Sequence, residues 1–166
     1  MNPEGDEGGQ VRAVDHRAAE IASRIHAVQV AAYTQEAELL GAVSFPPLQR
    51  SALDVQRSNE TFFAAFDQGE LVGSVSVEPG EAPGEIWISS LTVDPRHQRK
   101  GIGRALVAAV LSHYPASILF VSTGARNAPA LSLYAQAGFV EHARRTVGAE
   151  ALMLVVLRRP KSSVSR

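Results

Sequence analysis

A short basic segment with two glycines, residues 96–104, separates two runs of different hydrophobic periodicity in this chain. The apolar run before it, residues 86–93, is typical of a β-strand, and residues 102–113 repeat apolar positions with a helical period. A strand that turns through glycines into a helix exposes backbone N–H groups at the positive end of the helix dipole. Gly101 and Gly103 allow close approach of a bulky anion. The segment therefore predicts a β–turn–α unit whose turn binds a pyrophosphate.

Two familiar phosphate loops do not match this segment. The dinucleotide-binding fingerprint requires a third glycine three residues after the second, where this chain has Leu106. The Walker loop requires Gly-Lys-Ser/Thr after a longer glycine span, and the sequence has none here. A glycine pair before a helix is also often only a turn, so a second motif is needed to indicate a function.

That second motif lies about half a domain further along the chain. Residues 98–103 (Gln-Arg-Lys-Gly-Ile-Gly) resemble the R/Q-x-x-G-x-G/A signature of the GCN5-related N-acetyltransferases, the GNAT family, and residues 91–95 are similar to the strand end before it. Residues 127–139, from Asn127 to Phe139, resemble the family's later helix and the strand entry after it. The resemblance extends over residues 61–157. It implies a GNAT-like acyl-CoA N-acyltransferase fold with acetyl-CoA as acyl donor.

The order of predicted elements indicates an α/β fold, in the α+β sense of a mixed and splayed central sheet with helices on both faces. We expect a single domain over residues 11–159 and disordered tails at residues 1–10 and 160–166. Residues 11–14 are the one candidate for a strand before the first helix. The remaining pattern predicts helices at residues 15–40, 48–57, 102–113 and from Ala128, and strands at residues 61–66, 71–77, 85–93, 118–122, 139–146 and 151–157.

Composition excludes several function classes. The 166 residues carry a net charge of −1 and no cysteine. The charge balance argues against a nucleic-acid partner bound by bulk charge, and the missing cysteines exclude disulfides and thiolate catalysis. The five histidines have no metal-ligand spacing, so we expect no metal. No apolar run is long enough to span a bilayer, and residues 1–10 lack a signal-peptide core, so we expect a cytoplasmic protein without a membrane partner.

The resemblance implies a set of donor-binding residues. Backbone groups of the strand end would pair with the pantetheine arm, the loop would hold the pyrophosphate, and Asn127 would add an amide contact beside its role as a helix cap. A gap between this strand and residues 118–122 would admit the arm. The implied donor-binding residues are Leu91, Thr92, Val93, Gln98, Arg99, Lys100, Gly101, Ile102, Gly103, Arg104, Asn127 and Tyr134.

Tyr134 is the first candidate catalytic residue. On residue type alone, a tyrosine on this helix face is more often part of the core. The resemblance instead implies a general acid near the sulfur of coenzyme A, which would protonate the leaving thiolate.

The base is harder to assign. Some family members carry a Glu or His on the strand before the loop, where this chain has Trp87, which cannot accept a proton. Strict alternation places Glu85, Trp87 and Ser89 on one face. We therefore predict Glu85 as the outer group of a water-mediated proton path, although a carboxylate at the start of a strand is more often simply solvated. Glu78 is a weaker alternative.

The acceptor is expected to be a small-molecule or peptide amine held by the first helical region and its loop. The candidate contacts are Tyr33, Glu36, Glu38, Phe45 and Trp87, which could equally form a solvated helix face and a core contact. The sequence thus predicts an acetyl-CoA-dependent N-acetyltransferase in which a primary amine attacks the thioester directly. The alternative is a non-catalytic acyl-CoA-binding or sensory module on the same fold. A homodimer remains open.

Overall fold

The computed structural model describes residues 10–162. Within them, seven strands form one mixed sheet. The strands are β1 (Gln10–Val14), β2 (Thr61–Asp67), β3 (Glu70–Pro79), β4 (Glu85–Val93), β5 (Ile118–Gly124), β6 (Val140–Val147) and β7 (Leu152–Arg159). Their order across the sheet is β1-β2-β3-β4-β5-β7-β6, with β4 and β5 parallel and all other neighbours antiparallel. The predicted mixed sheet is confirmed, as is the short initial strand.

The helices are α1 (Ala19–Leu40), α2 (Ala52–Arg57), α3 (Ile102–His113) and α4 (Ala128–Gln136). α1 ends at Gly41, whose φ of 67° is left-handed and favours glycine. The single helix predicted for residues 48–57 is wrong, because the chain forms a 3-10 turn at Pro46–Gln49 and then α2. Ser51 separates the two, since it caps α2 in a reciprocal capping box with Asp54.

Helices cover both faces of the sheet. α3 and α4 pack on one face, where Leu106, Val107 and Val110 are buried and α3 lies against β2, β3 and β4. α1 and α2 pack on the other face, where Ile25 and Val55 bury. β2 serves both cores because its side chains alternate, with Phe63 on the α3 side and Phe62 on the α1 side. This two-faced burial explains the nearly continuous apolar run of β2.

The predicted tails fall mainly outside the described residues. Residues 1–9 and 163–166 are not described, whereas Gln10, placed in the tail by the sequence, begins β1. The domain limits at residues 11 and 159 therefore stay a prediction.

Candidate functional site

The two parallel strands at the centre of the sheet diverge. β4 pairs with β5 only from Glu85 to Ile88, opposite residues 118–121. Beyond Ile88, no strand within residues 10–162 pairs with the backbone of residues 89–93 on its β5 side. Side chains of α1 and α4 line the space that opens there. The gap expected from the sequence is thus present between these strands.

A β-bulge in β4 changes which side chains face the gap. Ser90 pairs with Ser76 of β3, but the next pair joins Ile88 to Val77, so Ser89 is an additional residue without a partner. Before the bulge, Ile88 lies in the core on the α3 side. After it, Leu91 packs on that side and Ser90 is turned toward α1. The bulge therefore places a buried hydroxyl where strict alternation would place an apolar side chain.

A long cleft follows the gap beside β4 to the start of α3, with a volume of about 880 Å³. α1 contributes Gln35 and Glu36, and α4 contributes Pro129 and Leu133. Of the residues predicted to bind the donor, it is lined by Leu91, Thr92, Val93, Gln98, Arg99, Gly101, Ile102, Gly103, Arg104 and Asn127. Lys100 is not part of this lining.

The loop at the end of the long cleft has left-handed backbone at two positions. Arg99 has φ 66° and Gly101, the N-cap of α3, has φ 78°. When left-handed residues alternate with residues of right-handed backbone, successive N–H groups point toward one side. At a helix N-terminus, this arrangement forms an anion-binding concavity. A Cβ atom at Gly101 would meet nothing within 4 Å, so its backbone angle, and not space, requires glycine.

Side chains around this loop have defined partners. Gln98 donates from Nε2 to Oε1 of Gln35 on α1 over 2.6 Å, across the long cleft. Arg96 lies outside the cleft lining, because its guanidinium holds Asp94 at 2.9 Å and Glu70 at 3.3 Å. The basic rim of the long cleft therefore comes from Arg99 and Arg104.

A second space, the inner cavity, lies between β4, β5 and the end of α1 and has a volume of about 340 Å³. It is lined by Tyr33, Glu36, Ser90, Asn127 and Tyr134, among others. The long cleft and the inner cavity share Glu36, Leu91, Asn127 and Ala130. Asn127 caps α4 by accepting from the Ala130 N–H and donates from Nδ2 to Glu36 Oε1 over 3.3 Å. The two spaces therefore meet at a hydrogen-bonded amide–carboxylate pair.

The ionisable groups of the inner cavity have shifted pKa values. Burial raises the pKa of Tyr134 well above its usual range, and nearby Glu36 and Tyr33 add to this effect. Burial also raises the pKa of Tyr33, again with a contribution from Glu36. Both phenols are consequently neutral hydrogen-bond donors at neutral pH. Burial raises the pKa of Glu36, and the hydrogen bond from Asn127 partly opposes this.

Glu85 is not brought to the inner cavity. It starts β4, packs against Gly80, and its Oε2 accepts from the Ala82 N–H over 3.4 Å. Ile88, the first β4 residue in the cavity lining, is three residues further on, about 10 Å along a strand. The prediction of Glu85 as the outer group of a proton path is therefore not supported by its position.

The predicted acceptor residues divide into two groups. Tyr33, Glu36 and Phe45 line the inner cavity, with the rings of Tyr33 and Phe45 in edge contact at 5.9 Å. Trp87 lies outside the lining and stacks on Phe120 at 5.0 Å, and Glu38 is an exposed residue of α1. Sequence reasoning missed Ser90 as a cavity residue, because nothing in a run of strand residues signals a bulge.

A buried polar network supports the floor of the inner cavity. Ser90 is hydrogen-bonded to Ser76, and the Ser76 hydroxyl donates to Glu60 Oε1 over 3.3 Å. Glu60 also accepts hydrogen bonds from Arg50 and Ser58. Burial works against ionisation of Glu60, but these hydrogen bonds outweigh it, so the pKa of Glu60 lies below its ordinary value. Glu60 is thus a structural carboxylate beneath β3 and β4.

Comparison with known proteins identifies the family. The sequence model of the acetyltransferase (GNAT) family matches residues 23–139, more than half of the chain. The chain belongs to the GNAT acetyltransferase family. The matched range contains Asn127, Tyr134 and the whole loop from Gln98 to Arg104 at the end of the long cleft.

Curated relatives are similar over part of their length. The UPF0157 protein YqkA of Bacillus subtilis (strain 168) is 40% identical over 144 residues, which is 86% of this GNAT chain and 41% of the relative. A mycothiol acetyltransferase of Cellulomonas flavigena is 36% identical over 96 residues, 49% of this chain and 27% of the relative. The chain therefore spans less than half the length of the curated relatives it matches.

Solved structures share the fold. The ribosomal-protein-S18-alanine N-acetyltransferase of Escherichia coli superposes with a TM-score of 0.72 at 18% identity, over 95% of this chain and 97% of that one. An N-acetyltransferase of Staphylococcus aureus Mu50 also gives 0.72 at 18% identity, over 92% and 98%. At this identity, the similarity establishes the GNAT architecture and leaves the acceptor to be argued from the site.

Two features are absent from residues 10–162. No helix there is both long and apolar enough to cross a membrane. In the same described stretch, no three His, Asp or Glu side chains are grouped so that they could hold a metal ion.

Proposed function

We propose that this GNAT protein is an acetyl-CoA-dependent N-acetyltransferase in which a primary amine attacks the thioester directly. The observation that carries the proposal is the meeting of the long cleft and the inner cavity at Asn127 and Glu36. A neutral phenol, Tyr134, and a carboxylate of raised pKa, Glu36, lie at this junction. The chain has no cysteine that could carry the acetyl group as a covalent intermediate, which favours direct attack by the amine.

The residues of the long cleft fit acetyl-CoA, which supplies the thioester when bound. β5 does not pair with Leu91, Thr92 or Val93, so those of their backbone groups that point away from β3 can pair with the amides of a pantetheine arm. The loop from Gln98 to Arg104 offers backbone N–H groups to a pyrophosphate. Gly103 supports this fit, since its missing side chain leaves the start of α3 open to the cleft.

Tyr134 is proposed to donate a proton, or a strong hydrogen bond, to the leaving sulfur. It lines the inner cavity next to Asn127 and Ala130, which also line the long cleft. Its raised pKa keeps it protonated at neutral pH, as a general acid must be before the reaction.

Glu36 replaces Glu85 as the proposed group that handles the proton of the amine. An amine with a pKa of about 10.4 is mostly protonated near neutral pH, and a proton acceptor is needed before it can attack. Glu36 lines the inner cavity, and burial brings its pKa closer to neutrality. It would first hold the ammonium ion and then accept its proton, directly or through one water.

The deciding experiment measures donor binding and turnover together. Gly103→Asp introduces a negative charge at the proposed pyrophosphate site, and we expect it to weaken acetyl-CoA binding at least about tenfold in calorimetry, through loss of the favourable helix N-terminus. Ala108→Asp, which adds the same charge on the exposed side of α3, is the matched control and should bind normally. Unchanged affinity in a folded Gly103→Asp protein would contradict the assigned donor site.

A measurement of turnover distinguishes the proposed acetyltransferase from a non-catalytic acyl-CoA-binding module. Wild-type protein should release free thiol from acetyl-CoA in the presence of an amine, and the rate should depend on amine concentration. Tight acetyl-CoA binding without thiol release across a broad amine panel would favour the non-catalytic acyl-CoA-binding alternative.

A further inference from the structure

The inner cavity has an unusual balance of charge for a site that receives a polar substrate. Among the described residues that line it, Glu36 is the only charged side chain, and none is Arg, Lys or His. Tyr33 and Tyr134 are neutral donors, as their burial requires. The cavity therefore offers one negative charge and no positive one.

Much of the remaining lining is apolar, and this apolar wall comes from two separate parts of the chain. The end of α1 and the loop after it contribute Leu40, Phe45 and Pro46, and the β6–β7 hairpin contributes Val147, Leu152 and Leu154. A cavity of about 340 Å³ is at the small end of the range for ligand sites. It has room for a compact molecule with a hydrophobic body.

A polar contact ties these two parts together. The carboxylate of Glu150, in the turn between β6 and β7, accepts hydrogen bonds from the Val43 N–H at 3.0 Å and the Ser44 N–H at 3.0 Å. The loop that carries Phe45 is thereby fixed to the hairpin that carries Leu152. We expect these bonds to hinder the entry of an extended chain from this side.

From this arrangement we infer that the acceptor is a small monoamine with an apolar body and no carboxylate, an inference that rests on the proposed function. The ammonium group would face Glu36, and the body would pack on the wall of Leu40, Phe45 and Leu154. A carboxylate on the acceptor would lose its water without gaining a cationic partner, which is costly. The second ammonium group of a diamine would suffer the same loss on the apolar wall.

Matched pairs of amines test this inference by thiol release with acetyl-CoA. Phenylethylamine is compared with phenylalanine, which adds a carboxylate, and octylamine with 1,8-diaminooctane, which adds a second amine. A tetrapeptide with a free N-terminus represents extended acceptors. We expect kcat/KM to be at least about a hundredfold higher for each monoamine than for its partner, in line with the cost of an unpaired buried charge, and higher than for the peptide.

A charge-insertion variant tests the cause of the selectivity. Leu154→Arg supplies the missing cation on the apolar wall, so it should raise the ratio of kcat/KM for phenylalanine over phenylethylamine at least about tenfold. Met153→Arg is the matched control, since Met153 lies on the same strand, is 41% exposed and does not line the cavity. It should leave the ratio unchanged. Leu152→Arg provides a second position if Leu154→Arg does not fold.

The outcomes separate this inference from the proposed function. If phenylalanine, the diamine or the peptide reacts as well as the monoamines, the acceptor class is wrong and the enzyme assignment stands. If acetyl-CoA binds and no amine reacts, or if it does not bind, both are overturned.

Discussion

Asn127 and Glu36, which both line the long cleft and the inner cavity of this GNAT protein, are joined by a side-chain hydrogen bond. The Asn127 Nδ2 donates to Glu36 Oε1 over 3.3 Å, while its Oδ1 caps α4 by accepting from Ala130. One side chain thus fixes the start of α4, which carries Tyr134, relative to the carboxylate on α1. The proposed acid and the proposed base are positioned through a single residue.

Asn127→Ser is expected to separate these two roles. Serine is as good a helix cap as asparagine, so the free energy of unfolding should change by less than about 0.5 kcal/mol. Its side chain is too short to reach Glu36, and loss of this hydrogen bond raises the pKa of Glu36 further. The acidic limb of the kcat/KM profile should therefore move to higher pH. An unshifted limb in the variant would show that Glu36 does not titrate in that profile.

Glu36→Gln should lower kcat/KM for the amine by about a hundredfold, within the usual yield of a general base, because the amide neither attracts the ammonium group nor accepts its proton. Glu85→Gln is the control and should cost less than twofold, since Glu85 lies about 10 Å from the cavity along β4. The opposite ranking, measured by steady-state kinetics, would restore Glu85 as the base.

Tyr134→Phe should lower kcat about a hundredfold with little change in acetyl-CoA affinity, because the ring remains and only the proton donor is lost. Tyr114→Phe, at the end of α3 and outside both spaces, is the matched control. Since burial raises the pKa of Tyr134, wild-type kcat should show no loss from its ionisation between pH 6 and pH 9. Equal turnover of both variants and wild type would reduce Tyr134 to a packing residue.

Glu60 should contribute stability that depends on pH in a defined direction. Its pKa is depressed in the folded protein, so its contribution is present above the unfolded value, about 4.3, and is lost as the pH falls through the folded value. Glu60→Gln should therefore be less stable than wild type in urea at pH 7, and the difference should shrink below about pH 4. A difference that is constant from pH 7 to pH 3 would contradict this role.

Gly101→Ala and Gly103→Ala should differ in stability. Alanine at Gly101 must adopt φ 78°, which costs about 1 kcal/mol. At Gly103, a Cβ would lie at an ordinary 3.4 Å from Leu133 Cδ2, and alanine favours the helix. Urea unfolding should therefore show a loss for Gly101→Ala alone. Equal losses would mean that the loop backbone is not held in the left-handed region.

The order of helices and strands and the loop from Gln98 to Arg104 could be predicted from the sequence, because hydrophobic periodicity and turn residues are local signals. It predicted β4, α3 and the cap of α4 close to their observed limits. It failed at α2, where the Ser51 cap interrupts what reads as one helix. Two prolines just before that cap favour the 3-10 turn instead.

The position of Glu85 relative to the inner cavity could not be predicted, for a different reason. Glu85 lies in the part of β4 that pairs with β5, and the lining of the inner cavity begins only at Ile88; the additional residue at Ser89 then changes which later side chains face the cavity. The bulge depends on pairing with β3, which a single strand's pattern does not encode. Glu36 and Glu38 likewise differ in burial only because α1 turns one of them toward β4 and β5.

The short paired segment between β4 and β5, called the seam here, affects how firmly the two halves of the sheet are held together. Four paired residues join the β1–β4 half of the sheet to the β5–β7–β6 half, and the boundary then runs through the reaction site. A donor bound in the gap would act as a cross-link between these two halves of the sheet as well as a reactant. Each turnover would then loosen the molecule when the product leaves, and backbone amides along the seam would exchange hydrogen more slowly with the donor present.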